Sequence, residues 1–555
     1  MMKPFRSLLI LALLAGACAP ASTVPAPSAA PTVQRPTAEA AAAPATALEP
    51  DEALDAAPES WWLLDEATER VRGISANRAY QQLLAGKQPQ RTVVVAIIDS
   101  GVDINHEDLR GNIWVNEREI PGNGRDDDGN GYVDDVHGWN FIGGPDGRHV
   151  VHDTYEVTRL YARCERSGGS RAAGEECSQI RQRYQDDLAR VNEQLQQIRT
   201  IDLAAGRFTT LLKQHLGTDS LTLEQVSRIQ TTRPDLQQAR QVYQQMAAAG
   251  ITPELIRQER EQLESRVEYG LNPAYDPRPI VGDSYEDTSE RGYGNPNVFG
   301  PFADHGTHVA GIVGAKRGNE IGIDGIAPAV RIMPLRAVPN GDERDKDVAN
   351  AIRYAVDNGA QVINMSFGKA YSPQKRAVDE AVRYADSRGV LMITGAGNEA
   401  ADLTTSPSFP NRFYEDGGEA RHWIAVGASS WVAADSLVAS FSNYGRERVD
   451  VFAPGVDILS TVPGDRYESN SGTSMAAPVV SGLAALLLAY YPELSGEEVK
   501  QIILDSATRY AEQSVVRPGG QGARVRFSEL STTGGIVNAY AAIQMADQRA
   551  AQKRR

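Results

Sequence analysis

The sequence predicts an α/β protein with three layers: a central parallel sheet and helices on both of its faces. Three observations predict this. Thr92 to Ile98 is a continuous, mostly β-branched run, the pattern of a strand buried on both sides. Helix-then-strand pairs recur further on: Asp345 to Asn358 before Gln361 to Met365, and Gln374 to Ser387 before Val390 to Thr394. Such alternation gives parallel strands joined by crossover helices. Finally, the Ala-, Val- and Leu-rich run from Ser474 to Leu488 reads as a helix enclosed in a core. A chain of 555 residues with 41% hydrophobic side chains can build a core of that size.

In chain order, Lys3 and Arg6 precede Leu8 to Ala15, an apolar run too short to cross a bilayer. With Ala15-Gly16-Ala17-Cys18 this reads as an export signal over residues 1–18. It resembles a bacterial lipoprotein signal, which would make Cys18 a lipid-carrying membrane anchor. Ala15 stands where Leu is commoner, so ordinary cleavage and secretion is the alternative. Residues 19–60, rich in Ala, Pro and Thr, read as a flexible tether. Folded sequence starts near Trp61, with a helix over Ile74 to Gly86. Strands at Trp423 to Gly427 and Val449 to Phe452 and a helix at Gly496 to Ser506 continue the pattern. The α/β domain therefore covers 61–150 and 280–545, and residues 546–555 form a basic tail.

Residues 151–279 differ in texture. Ile180, Tyr184, Leu188, Val191, Leu195 and Ile198 make a heptad-like stripe on a Gln-, Arg- and Glu-rich helix. Further helical runs cover Leu236 to Ala248 and Pro253 to Tyr269. This is a helical insertion, a hairpin or small bundle, either passive or used in gating and docking. The chain has three cysteines. If Cys18 is lipidated, Cys164 and Cys177 remain as a pair that an exported protein can oxidise; the alternative reading is that the two stay reduced.

Asn470 to Thr473 are turn and cap residues, placing Ser474 at a helix N-terminus among unbonded backbone N–H groups, with Pro478 in the first turn. That position suits a plain cap or a nucleophile whose reaction passes through an oxyanion. A nucleophile needs a base and an orienting carboxylate. The chain has eight histidines. His305 and His308 stand in Asp-His-Gly-Thr-His-Val-Ala-Gly, which lacks the Glu and the i, i+4 spacing of a zinc helix. Asp99 closes the strand Val93 to Ile98, at the end where α/β sheets place their sites. Gly395-Ala396-Gly397-Asn398 follows another strand and offers an amide donor.

Asp-Ser-Gly at Asp99, His-Gly-Thr-His-Val-Ala-Gly at 305–311 and Gly-Thr-Ser-Met-Ala-Ala-Pro at 472–478 together resemble the subtilisin-like serine peptidases. The resemblance implies a seven-stranded parallel α/β/α domain and a triad of Asp99, His305 and Ser474. It makes Asn398 and the Ser474 N–H the oxyanion donors. Ser366, Phe367 and Gly368 become a strand that pairs with an extended peptide, facing Gly395, Ala396 and Gly397 across the specificity pocket. Phe367 and Ser408-Phe409-Pro410 suggest an apolar preference there. The implied activity is endopeptidase hydrolysis through an acyl-enzyme, with protein or peptide substrates and no catalytic cofactor. The competing reading is a silent binding scaffold that docks partners through its insertion, although the chemical positions are intact.

The net charge of −16 argues against nucleic acid as a partner and suits bound cations. Asp126, Asp128, Asn130 and Asp134 occupy loop positions 1, 3, 5 and 9 of a calcium loop, with Gly131 at 6. His137 replaces the final Glu, so this reads as a partial loop for a structural calcium ion, the alternative being an acidic turn cluster.

Overall fold

β1, Val93–Asp99, explains the layering. Successive side chains of a strand point to opposite faces. Val93, Val95 and Ile97 enter one apolar cluster, whereas Ala96 and Ile98 enter another. Both clusters are buried, hence the unbroken β-branched run. The computed structural model describes residues 56–166, 174–432 and 434–554. The export signal, Cys18 and the tether up to residue 55 lie outside the described residues.

Twelve more strands follow β1: β2 Trp139–Asn140, β3 Val330–Arg336, β4 Val362–Met365, β5 Leu391–Gly395, β6 Trp423–Ser429, β7 Val451–Pro454, β8 Ile458–Val462, β9 Arg466–Asn470, β10 Thr508–Arg509, β11 Ser514–Val516, β12 Arg524–Arg526 and β13 Gly535–Ile536. The main sheet has nine strands in the order β10-β13-β7-β6-β5-β4-β1-β3-β2. Every pairing in it is parallel except β10 with β13. The fold is thus the expected α/β/α sandwich, with nine strands rather than seven: six longer strands in the middle and the two-residue strands β2, β10 and β13 at the edges. β3 is absent from the sequence reading, since Arg331 and Pro334 interrupt its apolar run. It pairs along all of β1, Val93 with Val330 through Asp99 with Arg336.

One face of the sheet carries the helices Asp304–Gly314, Thr473–Tyr490, Gly496–Asp505 and Ala539–Lys553; the other carries Asp345–Asp357 and Lys375–Ser387. All 18 residues of Thr473–Tyr490 are buried. It is apolar enough to cross a membrane by composition but is the central core helix. Each fully buried Leu there, such as Leu483 or Leu486, contributes roughly 1.5–3 kcal/mol. Trp61, Trp62 and Leu63 are buried in the same cluster, and Ala57 packs against it.

The chain divides into two compact units. One comprises 53–188 and 265–555; the other, among the described residues, is 189–264. The first contains the sheet, the helix Glu156–Arg166 and the start of Gly174–Leu216, a single helix of 43 residues that continues into the second. Cys164 and Cys177 form a disulfide, with Cα atoms 5.7 Å apart. The second unit has its own small core, including Leu212, Val226, Ile229 and Leu236. Its helix Leu223–Ser227 starts with a capping box between Thr222 and Gln225, and Pro234–Ala248 starts with Pro at a position where no N–H is needed. The predicted helix to Tyr269 ends at Ser265 and widens into a looser turn over Arg266–Gly270.

Candidate active site

Asp99 ends β1 with its side chain 2% exposed. Its Oδ1 accepts from the Ser100 N–H at 2.7 Å and meets His305 Nδ1 at 2.8 Å. His305 opens the helix Asp304–Gly314, and Gly306 lets that helix sit against the end of β1. A Cβ at Gly306 would stand 2.1 Å from the Gly101 carbonyl oxygen and 3.2 Å from Asp99 Cβ. The Asp99 contact holds the imidazole through Nδ1. Among the described residues, Nε2 has no hydrogen-bond partner. His308, by contrast, is fully buried, and its Nε2 meets the Glu468 carbonyl at 2.9 Å, a structural role.

Ser474 is the second residue of Thr473–Tyr490, as the sequence indicates. Pro478, however, lies in the second turn rather than the first. A proline six residues into a helix cannot donate to the carbonyl four residues back, and that carbonyl belongs to Ser474. Ser366 supplies the missing bond: its Oγ donates to Ser474 O at 2.9 Å. In return Ser474 Oγ donates to Ser366 O at 3.1 Å. Behind Ser366, Asn364 Nδ2 donates to Ser366 Oγ at 2.9 Å and Ser481 Oγ donates to Asn364 Oδ1 at 2.8 Å. This buried chain ties the Ser474 helix to β4. The sequence places Asn364 only at the start of the substrate-lining strand and gives Ser481 no role, although polar residues inside an otherwise apolar strand and helix are the available signal.

Asn398 follows β5. Its Oδ1 accepts from the Thr473 N–H at 2.9 Å and from Thr473 Oγ1 at 3.1 Å. With Oδ1 so anchored, Nδ2 is the donor left to the cleft. A Cβ placed on Gly472 would lie 3.5 Å from Asn398 Nδ2 and 3.6 Å from the Ser474 N. Two donors therefore converge beside Gly472 on a space that its missing side chain keeps open. Asn443 holds the loop in shape: its Oδ1 accepts from Glu399 N and Ala401 N at 3.0 and 2.8 Å. Gly397, at φ +106°, allows that approach, since a Cβ there would stand 2.3 Å from Asn443 Nδ2.

The segments expected to hold substrate flank this corner. Gly395 packs on Thr473, where a Cβ would come 2.9 Å from its carbonyl oxygen, and Gly368 faces Ser408 in the same way, 2.8 Å from its Oγ. Gly368 is exposed. Phe367 turns its side chain into the second core cluster and is 5% exposed, so it lends no apolar wall to the cleft. Burial wins because Phe367 continues β4 along the face that packs on helix Lys375–Ser387.

The acidic loop assembles differently from the sequence expectation. Asp126 and Asp128 gather with Glu119, which the sequence reading missed, their oxygens lying within 4.8 Å of one another. Asn130 and Asp134 are occupied elsewhere. Asn130 Nδ2 donates to Asp135 Oδ2, and the Asp134 carboxylate accepts from the N–H groups of Asn123 and Gly124. Asp126 accepts from Gly129, Asn130 and Gly131 N–H. Partial desolvation raises its carboxyl, and these donors outweigh that, holding it below the usual range. Arg118 pairs with Asp128 at 2.9 Å. Three carboxylates fit a hard cation by donor chemistry, but Arg118 already supplies part of the balancing charge.

Comparison with known proteins gives this geometry a family. The model of the subtilase family, Peptidase S8, matches residues 90–522. The chain is 38% identical over 278 residues to the thermophilic serine proteinase of Bacillus sp. (strain AK1), covering 50% of this chain and 60% of that protein. It is 36% identical over 237 residues to subtilisin NAT of Bacillus subtilis subsp. natto, covering 41% of this chain and 58% of the relative. To the subtilisin of Bacillus pumilus it is 36% identical, across 80% of that protein. The chain thus spans about three fifths of the first two relatives.

Proposed function

Because the chain belongs to the subtilase family, we propose that it is a serine endopeptidase acting on proteins or peptides with Asp99, His305 and Ser474 as its triad. The observation that carries this reading is the 2.8 Å contact between His305 Nδ1 and Asp99 Oδ1, which holds the imidazole and leaves Nε2 without a hydrogen-bond partner among the described residues. His305 takes the Ser474 proton as the hydroxyl attacks the scissile carbonyl. The oxyanion forms between Asn398 Nδ2 and the Ser474 N–H. His305 then protonates the leaving amine, and water repeats the sequence to release the acyl group. Asp99 holds the imidazole tautomer and stabilises its charged form. The extended substrate lies along 366–368 and 395–397.

The test is fluorophosphonate labelling of the full chain beside Ser474→Ala. Labelling that vanishes in the variant supports an activated serine. A wild type that stays unlabelled, with its circular dichroism intact, overturns the reading in favour of a silent scaffold.

Two further assignments belong to this proposal. Glu119, Asp126 and Asp128 are where a structural calcium ion would bind, and chelation should lower thermal stability. Cys18 anchors an exported protein to a membrane through lipid; Cys18→Ser should shift the protein from the membrane fraction to the soluble one. Unchanged partitioning would refute the anchor.

A further inference from the structure

The recess beside Gly395 and Ala396 contains a cation that the mechanism above does not use. Ser408, Arg412, Phe413 and Arg448 also line it. Its place is set by the wall it shares with the active site: Gly395 packs against Thr473, the neighbour of Ser474, and Ala396 lies two residues before Asn398. On the endopeptidase reading, in which 395–397 flank the extended substrate, a side chain entering here belongs to the substrate residue whose carbonyl meets Ser474.

The two arginines differ in how far they are satisfied. Arg412 Nη1 donates to both Asp450 oxygens at 2.7 and 2.9 Å, Nε to Glu419 Oε2 at 2.9 Å, and Nη2 to the Glu447 carbonyl at 2.6 Å. Arg448 is stacked on Phe413, its guanidinium carbon 4.1 Å from the ring centroid, and Arg412 approaches the same ring at 4.8 Å. Among the described residues, the Arg448 side chain has no carboxylate partner, and no carboxylate lines the recess. A guanidinium stacked on a ring keeps its in-plane N–H donors available for a carboxylate, which it can hold with two parallel bonds. A half-buried cation without a counter-ion favours an anionic ligand over an apolar one.

We infer that this recess selects an acidic substrate side chain on the carbonyl side of the scissile bond, and that Arg448 pairs with its carboxylate. This rests on the endopeptidase reading and replaces the apolar preference expected from the sequence. Phe367 is buried in the core, and Phe413, one of the two aromatic residues lining the recess, is covered by cations.

The test uses matched peptides that differ only at that residue, Glu, Gln or Phe, with the full chain as wild type, Arg448→Ala and Arg448→Lys. In the wild type kcat/KM for Glu should exceed that for Gln by about tenfold or more, the scale of a hydrogen-bonded charge pair. The ratio should shrink at high salt, collapse toward one in Arg448→Ala and be partly kept in Arg448→Lys. Because both peptides are cut by the same preparation, partial misfolding of a variant cancels from the ratio. A wild type that cuts Gln or Phe as well as Glu overturns the inference and leaves the endopeptidase reading standing, as does a ratio unchanged in Arg448→Ala. Fluorophosphonate labelling without cleavage of the Glu peptide also overturns the inference alone. Neither labelling nor cleavage refutes both.

Discussion

The Ser474 corner and the Asp126 loop are both rich in the residue types of functional sites, yet they use their polar atoms in opposite ways. At the corner, protein contacts fix one end of each group and leave the other end bare. His305 is held through Nδ1 and Asn398 through Oδ1, and among the described residues His305 Nε2 has no hydrogen-bond partner. In the loop, the acidic groups are spent on their own backbone: Asp126 takes three N–H donors and Asp134 two. A preorganised site is marked by anchored groups with one valence left over. Composition alone marks the loop just as strongly.

Four changes break or sharpen this contrast. The largest effect belongs to Ser474→Ala, which should lower kcat for peptide hydrolysis by at least about 10³-fold while thermal unfolding stays close to wild type. A modest loss of rate would mean that the corner is not the reacting centre. Asn398→Ala comes next, with kcat down on the order of 10²–10³-fold and KM nearly constant, the pattern of a donor used only in the transition state. A rise in KM instead would assign Asn398 to ground-state binding.

Ser366→Ala removes the donor that answers Pro478. The Ser474 carbonyl is then buried without its partner, and urea unfolding should reveal a loss of about 1–3 kcal/mol. No change would show that water replaces the hydroxyl. The smallest effect is expected at the loop. Under the calcium reading, EGTA should lower the wild-type Tm by on the order of a few degrees, and Asp126→Asn should abolish that response without altering kcat. A wild type indifferent to chelator would leave the loop as a self-bonded turn.

Much of the site was legible because its motifs are short and local. Asp99 at a strand end, His305 before a run of small residues and Ser474 after a turn each carry their context within a few neighbours. The chain Ser481–Asn364–Ser366 was not legible, since its partners are 108 and 117 residues from the Ser474 helix positions they bond. Glu119 was missed for a similar reason: its approach to Asp126 depends on how the loop closes.

The sequence by itself determined the alternation of strands and helices, the two-faced burial of β1 and the identity of the residues at the corner. These follow from periodicity, turn chemistry and strand-end position, all of which act over a few residues. Tertiary structure decided that β3 lies beside β1, that Phe367 is core rather than cleft, and that Arg448, among the described residues, pairs with no carboxylate. Each of those depends on which distant surfaces meet, and side-chain burial and charge compensation exist only after they have met.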